Sequence, residues 1–230
     1  PIPELTDDLW LDYRRRGNRE SYQRPWYERH GRFANFVLAE CLEGKGRFLS
    51  KVTEYLETIA VSRKISAKMS EHGVLYFHGS AIAVDNKAYI FTAPSGTGKS
   101  THVNLWRQKF GDRAITINDD KPFLKITDEG ILVCGSPSDG KHRISSNVKV
   151  PLKAICILER GELNSIEEIS RKDALVRILS QVHIPKDAIH TGLCLKLIDT
   201  LLNQTKVFNL KCNMNIDAVT TAYNGMNTEE

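Results

Sequence analysis

Residues 93–101 read Ala-Pro-Ser-Gly-Thr-Gly-Lys-Ser-Thr, and no other stretch of the chain restricts the fold as tightly. A β-rich apolar segment, 87–93, leads into them. A helical segment from Ser100 to Phe110, stopped by Gly111, follows. The spacing is G-x-x-x-x-G-K-[S/T] with Ala93 in place of the first glycine. Gly96 and Gly98 permit backbone conformations that other residues resist, so successive N–H groups can curl around an anion. The helix starting near Lys99 directs its dipole and its unpaired N–H groups to the same place. Lys99 adds a point charge and Ser100 a hydroxyl suited to magnesium. Pro94 has no N–H, so the cradle must come from Ser95, Gly96, Thr97, Gly98, Lys99 and Ser100, with Thr101 next in the helix.

Around this loop the chain reads as α/β with antiparallel hairpins mixed into the sheet. Two β-rich stretches, 74–84 and 87–93, meet at an Asp85-Asn86 turn. Strands fit 113–118, 122–127, 131–134, 152–158 and 206–210, and helices fit 48–69, 171–182, 186–203 and 216–224. Residues 1–47 stand apart as a basic, aromatic arm, with 48–230 as a single domain. Within 13–32, seven arginines face only Glu20 and Glu28 and alternate with Tyr13, Tyr22, Trp26 and Tyr27. A loosely ordered or surface-docked arm is the expectation there. The whole chain is only +4, with 32 Lys and Arg against 28 Asp and Glu, which argues against a general nucleic-acid binder. Five widely spaced cysteines with no C-x-x-C pattern argue against a disulfide scaffold or a cysteine-built zinc site. With no bilayer-length apolar run and no signal-peptide character, a cytoplasmic location without a membrane partner is expected.

The apolar stretch 113–118 ends at Asp119-Asp120, about twenty residues past Lys99. Strand-end carboxylates beside a phosphate loop can hold a divalent cation or take a proton from an attacking hydroxyl, so one is a base candidate and the other a metal candidate. His78 closes the apolar strand of the first hairpin, which would bring it back towards the loop. Residues 135–147, GSPSDGKHRISSN, form a polar loop whose Lys141 and Arg143 are candidates for clamping a phosphoryl group or its acceptor.

Taken together, His78-Gly79-Ser80-Ala81, the Walker-A-like 95–100 and Asn118-Asp119-Asp120 resemble the HPr kinase/phosphorylase and phosphoenolpyruvate carboxykinase superfamily. Small bacterial HPr-kinase-like proteins are similar in Thr101-His102, Asp119-Asp120-Lys121-Pro122 and Gly140-Lys141. The resemblance covers roughly residues 70–160. It implies a mixed-sheet P-loop core of that type, with helical segments at both ends. It implies ATP and Mg²⁺ held by Ser95, Gly96, Thr97, Gly98, Lys99, Ser100 and Thr101. Asp119 would be the general base and Asp120 the metal partner beside Ser100, or the reverse, and His78 would lie beside the phosphates. The 135–147 loop departs from both parent families, so the acceptor is not carried over.

The expected function is an ATP-dependent kinase transferring the γ-phosphoryl group to a hydroxyl of a protein or peptide serine, or of a small metabolite. A minimal carboxykinase-like enzyme and a non-catalytic nucleotide-binding regulator are the alternatives. A second copy of the chain stays open as a partner. An RNA partner would need the arginines of 13–32.

Overall fold

The computed structural model describes residues 3–4, 6–16, 20–59, 61–94, 96–138 and 144–228. The chain divides into two compact units, 1–65 and 66–230.

The first unit is helical: α1 (Asp7–Arg16), α2 (Glu20–Glu43), α3 (Leu49–Ile59) and the start of α4 (Val61–Glu71). The segment expected to be a loosely ordered or surface-docked arm is helical over Asp7–Arg16 and Glu20–Glu43. Phe36 of α2 packs against Phe48 and Tyr55, with ring centroids 6.1 and 5.5 Å away. Arg29 is buried and donates from Nε to Pro3 O at 3.0 Å. Burial pushes the nearby Tyr22 hydroxyl up to about 12. Its arginines are thus partly committed inside the unit, and several of its aromatics form its core.

The second unit carries nine strands among the described residues: β1 (Val74–Tyr76), β2 (Ser80–Val84), β3 (Lys87–Thr92), β4 (Ala114–Asn118), β5 (Phe123–Thr127), β6 (Gly130–Cys134), β7 (Lys149–Arg160), β8 (Ser165–Glu168) and β9 (Lys206–Cys212). Its helices after α4 are α5 (Lys99–Phe110), α6 (Arg171–Leu179), α7 (Ala188–Gln204) and α8 (Asp217–Met226). The sheet runs β1-β5-β6-β7-β3-β2-β4, with β9 also on β7 and β8 on β9. The long strand β7 pairs antiparallel with β6 through Lys149–Pro151, then parallel with both β3 and β9 further on. Asp85 and Asn86, at φ 50° and 60°, make the tight turn that joins β2 to β3.

Alternation along the strands explains why their sequences are apolar throughout. Ala88, Ile90, Ile155 and Ile157 face one core with Ile178 of α6 and Ile198 and Leu201 of α7. Tyr89, Phe91, Ala154, Cys156 and Leu158 face the other with Trp106 of α5 and Val219 and Ala222 of α8. Helices thus cover both faces. Side chains start two of them: Ser170 Oγ accepts from Asp173 N at 3.2 Å before α6, and Asp187 Oδ1 accepts from His190 N at 3.0 Å before α7. No disulfide joins any of the five cysteines.

The sequence treats 74–84 as one strand, but the structure breaks it after Tyr76. β1 pairs with β5, whereas β2 pairs with β3 and β4, so the chain changes partners across Phe77-His78-Gly79. Gly79 permits the crossing. A Cβ there would lie 3.0 Å from Phe91 O and 3.1 Å from Ile90 Cγ2. β8 has no expectation behind it, because Ser-Ile-Glu-Glu offers one apolar residue to β9 and looks like surface.

Ile198 is fully buried in the α7 core, while Leu163 is 83% exposed. Ile198→Ala should cost about 2–5 kcal/mol in urea unfolding monitored on the sheet-bearing unit. Leu163→Ala should stay within about 0.5 kcal/mol.

Candidate functional site

β2 lies antiparallel between β3 and β4. Its first residue, Ser80, therefore comes to the same end of the sheet as Thr92 of β3 and Asn118 of β4. His78, the 93–98 loop and Asp119-Asp120 converge there, at the carboxyl ends of β3 and β4, where open α/β sheets place their ligands.

Asn118 fixes the acidic turn. It is fully buried, and its Oδ1 accepts from the N–H groups of Asp120 at 2.9 Å and Lys121 at 2.6 Å. Its Nδ2 donates to Ser136 O at 3.1 Å and Ser138 O at 3.2 Å, tying the start of the 135–147 loop to the same point. Gly79 N donates to Asp120 O at 2.8 Å, and Ser80 Oγ to Asp119 O at 2.8 Å. Asp119 is 7% exposed. The Asp120 side chain, 30% exposed, lies 3.6 Å from His78 Nε2 and 3.8 Å from Lys121 Nζ.

His78 belongs to the strand break rather than to a strand. Its N–H donates to Gln181 O at 2.7 Å, and its Nδ1 meets Gln181 Oε1 at 3.1 Å. Thr92 Oγ1 donates towards His78 O, with Gln181 Oε1 also 2.9 Å away. Burial holds the imidazole below its ordinary range, the Lys99 charge adds to this, and Asp120 and Gln181 oppose it.

The glycine loop has the backbone that its sequence requires. Gly96 and Gly98 take φ of 80° and 118°, the left-handed region closed to most side chains. Thr97 N and Oγ1 both donate to Pro94 O, at 3.3 and 2.9 Å. The first helical hydrogen bond of α5 runs from His102 N to Gly98 O at 2.9 Å, so the N–H groups of Lys99, Ser100 and Thr101 have no helical acceptor. Unlike α6 and α7, α5 begins with no side-chain cap. Lys99 Nζ donates back to Ala93 O at 2.8 Å, and burial lowers its pKa while Asp120 opposes the shift.

The structure thus gathers His78, Lys99, Asp119 and Asp120 at one end of the sheet, with Gly96, Thr97, Gly98, Ser100 and Thr101 in the adjoining loop and helix start. Ser95, Lys141 and Arg143 lie outside the described residues. Asn118 entered the sequence analysis only as part of the Asn118-Asp119-Asp120 motif, with no role of its own, and Thr92, Gln181 and Arg160 had no sequence signal as site residues. Arg160, at the end of β7, donates from Nη2 to Gly96 O at 2.8 Å and braces the loop. Only a strand-end arginine beside a glycine loop could have hinted at it. Beside the loop opens a cavity of about 460 Å³, bounded by Gly96–Gly98, by Thr101, His102 and Leu105 of α5, and by residues 158–161 and 212–214. Among the described residues, no three His, Cys, Asp or Glu side chains cluster to hold a metal ion by themselves, and no helix is long and apolar enough to cross a membrane.

No family model matches the chain, nor does any curated protein. Among solved structures, it is similar to the HPr(Ser) kinase/phosphatase from Coxiella burnetii. The identity is 12% and the TM-score 0.37, over 65% of this chain and 94% of that one. At that similarity the likeness assigns no role to any residue here.

The double engagement of Asn118 Oδ1 makes a local prediction. Asn118→Ala should cost about 1–3 kcal/mol, and hydrogen exchange should speed up at the amides of Asp120 and Lys121 more than in the α7 core.

Proposed function

We propose that the protein binds ATP with Mg²⁺ at the glycine loop and transfers the γ-phosphoryl group to a hydroxyl. The observation that carries this reading is the meeting, at one sheet end, of a left-handed glycine loop, the uncapped start of α5, Lys99 and a carboxylate pair. The N–H groups of Gly98, Lys99, Ser100 and Thr101 would receive the phosphates, and Lys99 Nζ would turn from Ala93 O to their oxygens. Ser100 Oγ and Asp120 would hold the magnesium ion, with phosphate oxygens and water completing its shell, and its charge would offset that of the phosphates.

The acceptor oxygen attacks the γ-phosphorus, the bond from that phosphorus to the bridging oxygen breaks, and ADP leaves. Asp119 takes the hydroxyl proton as this happens. The greater exposure of Asp120 favours a second assignment in which the two aspartates exchange roles. The acceptor is a serine hydroxyl of a protein or peptide, or a small metabolite. Lys141 and Arg143, in the loop that Asn118 anchors at its start, are the proposed acceptor-side cations.

Calorimetry with Mg·ATP tests the binding step. The wild type should bind and Lys99→Ala should lose at least about tenfold in affinity, equivalent to about 1.4 kcal/mol. Absence of wild-type binding at millimolar nucleotide would overturn the reading.

A separate test concerns the base. Asp119→Asn should keep ATP affinity within a few-fold and lower turnover by about 10²–10⁴, measured as γ-labelled phosphate appearing in a peptide and metabolite pool. If Asp120→Asn instead shows that kinetic profile, the roles are reversed.

A further inference from the structure

Two stretches of the second unit, 66–78 and 181–190, hold each other by backbone and side-chain contacts. Ser66 Oγ of α4 donates to His183 O, and His183 N donates to Tyr76 O at 3.0 Å. The His183 ring stacks on that of Tyr76, with centroids 4.8 Å apart. Phe77 bridges to Val182, and His78 N donates to Gln181 O at 2.7 Å. Between leaving β5 and joining β3, the segment that carries His78 is therefore supported in part by 181–183.

The same two stretches meet again at His190, in the first turn of α7. Its Nδ1 lies 2.6 Å from Asp187 Oδ1, and its Nε2 lies 2.9 Å from Oε1 of Glu71, the last residue of α4. A carboxylate only accepts, so the imidazolium, with a proton on each nitrogen, is needed to make both bonds. A neutral ring satisfies one carboxylate and turns a lone pair on the other. The bond to Glu71 and then that to Asp187 raise the ring's pKa above its ordinary value, and burial opposes the shift. Lys68 Nζ holds the other oxygen of Glu71 at 2.7 Å and, with His190, pulls that carboxyl down to about 2. Asp187 is lowered too, chiefly by the backbone N–H of His190. Cys194 of α7, beside Ser66 and Ser70, stays a thiol because burial raises its pKa. Both carboxylates thus remain charged across neutral pH, and the histidine proton decides whether α4 and α7 are joined here. The bond is complete below 6.5, the ring's ordinary value, and is lost as pH rises through the raised one.

We propose that His190 is a pH-sensitive clamp, which when protonated joins the last turn of α4 to the start of α7 and steadies the segment that carries His78. Deprotonation opens the clamp and lets that segment loosen. The nucleotide reading is not needed for this, since every contact named lies within the second unit. Its bearing on that reading is regulatory, because the sheet end that carries His78 is best ordered below the clamp's transition and less so above it.

NMR of the full chain labelled with ¹⁵N-histidine reads the ring directly. The His190 pKa should lie above 6.5 in wild type and fall in Glu71→Gln, which removes one of the two anions. Hydrogen exchange, corrected for the intrinsic effect of pH on the rates, reads the consequence. Protection at the amides of His72, Gly73 and His78 should drop at least about threefold between about pH 6 and about pH 9, with its midpoint at the His190 pKa. In Glu71→Gln that drop should be lost, because a glutamine amide can accept from the charged ring or donate to the neutral one. The Glu71 side chain is 38% exposed, so its replacement leaves the core intact. A wild-type His190 pKa at or below 6.5 overturns the clamp without recourse to any variant. So does a drop in protection that persists in Glu71→Gln, or one confined to His72 and Gly73 that leaves His78 unaffected.

Discussion

The antiparallel insertion of β2 between β3 and β4 decides where the glycine loop, His78 and the two aspartates fall. Because β3 and β4 then run the same way, their carboxyl ends and the start of β2 share one edge of the sheet. The register shift between Ala81 and Ile82 lets Ala81 face Asn118 while Ile82 faces Thr116. That offset draws the end of β4 level with Ser80, whose hydroxyl then reaches Asp119 O. Gly79 completes the arrangement, since only a residue without Cβ lets the His78 segment pass so close to Phe91 and Ile90. One topological choice therefore delivers loop, histidine and carboxylates together, although some twenty residues separate each from the next along the chain.

Much of this was legible because its physics is local. The Asp85-Asn86 turn, the strand leading into the loop and the glycines at 96 and 98 are short-range signals, and the structure realises each of them. The break at Phe77–Gly79 was not legible, because an apolar run reads the same whether it pairs with one neighbour or changes neighbours midway. Of the first unit's helices, the one expected over 48–69 appears as α3 and α4, whereas α1 and α2 were missed for another reason. Their interior is built from Phe36, Tyr22, Tyr55 and Arg29, and an arginine-rich aromatic stretch looks like surface until its partners are known. Gln181 lies 103 residues from His78, and Arg160 lies 64 from Gly96. No motif could announce such contacts, which exist only through the pairing of β7 with β3 and the return of the chain after α6.

The loop holds its shape because several of its carbonyl groups are occupied by hydrogen bonds. Pro94 O accepts from Thr97 N and Oγ1, Ala93 O accepts from Lys99 Nζ, and Gly96 O accepts from Arg160. The peptide joining Gly96 to Thr97 is engaged at both ends, its carbonyl by Arg160 and its N–H by Pro94 O, so it cannot rotate without losing two hydrogen bonds. Rigidity of this kind lowers the ordering cost of binding, which a loop of small residues would otherwise meet in full. The Lys99 ammonium is half-buried, with the neutral carbonyls of Ala93 and Pro94 as its hydrogen-bond acceptors and Asp120 nearby, so its charge is poorly compensated. A phosphate oxygen would compensate it better than Ala93 O does. On the proposed reading, Arg160, Thr97 and the two glycines would fix the cradle while the charge of Lys99 would supply the attraction, so shape and attraction would rest on different residues.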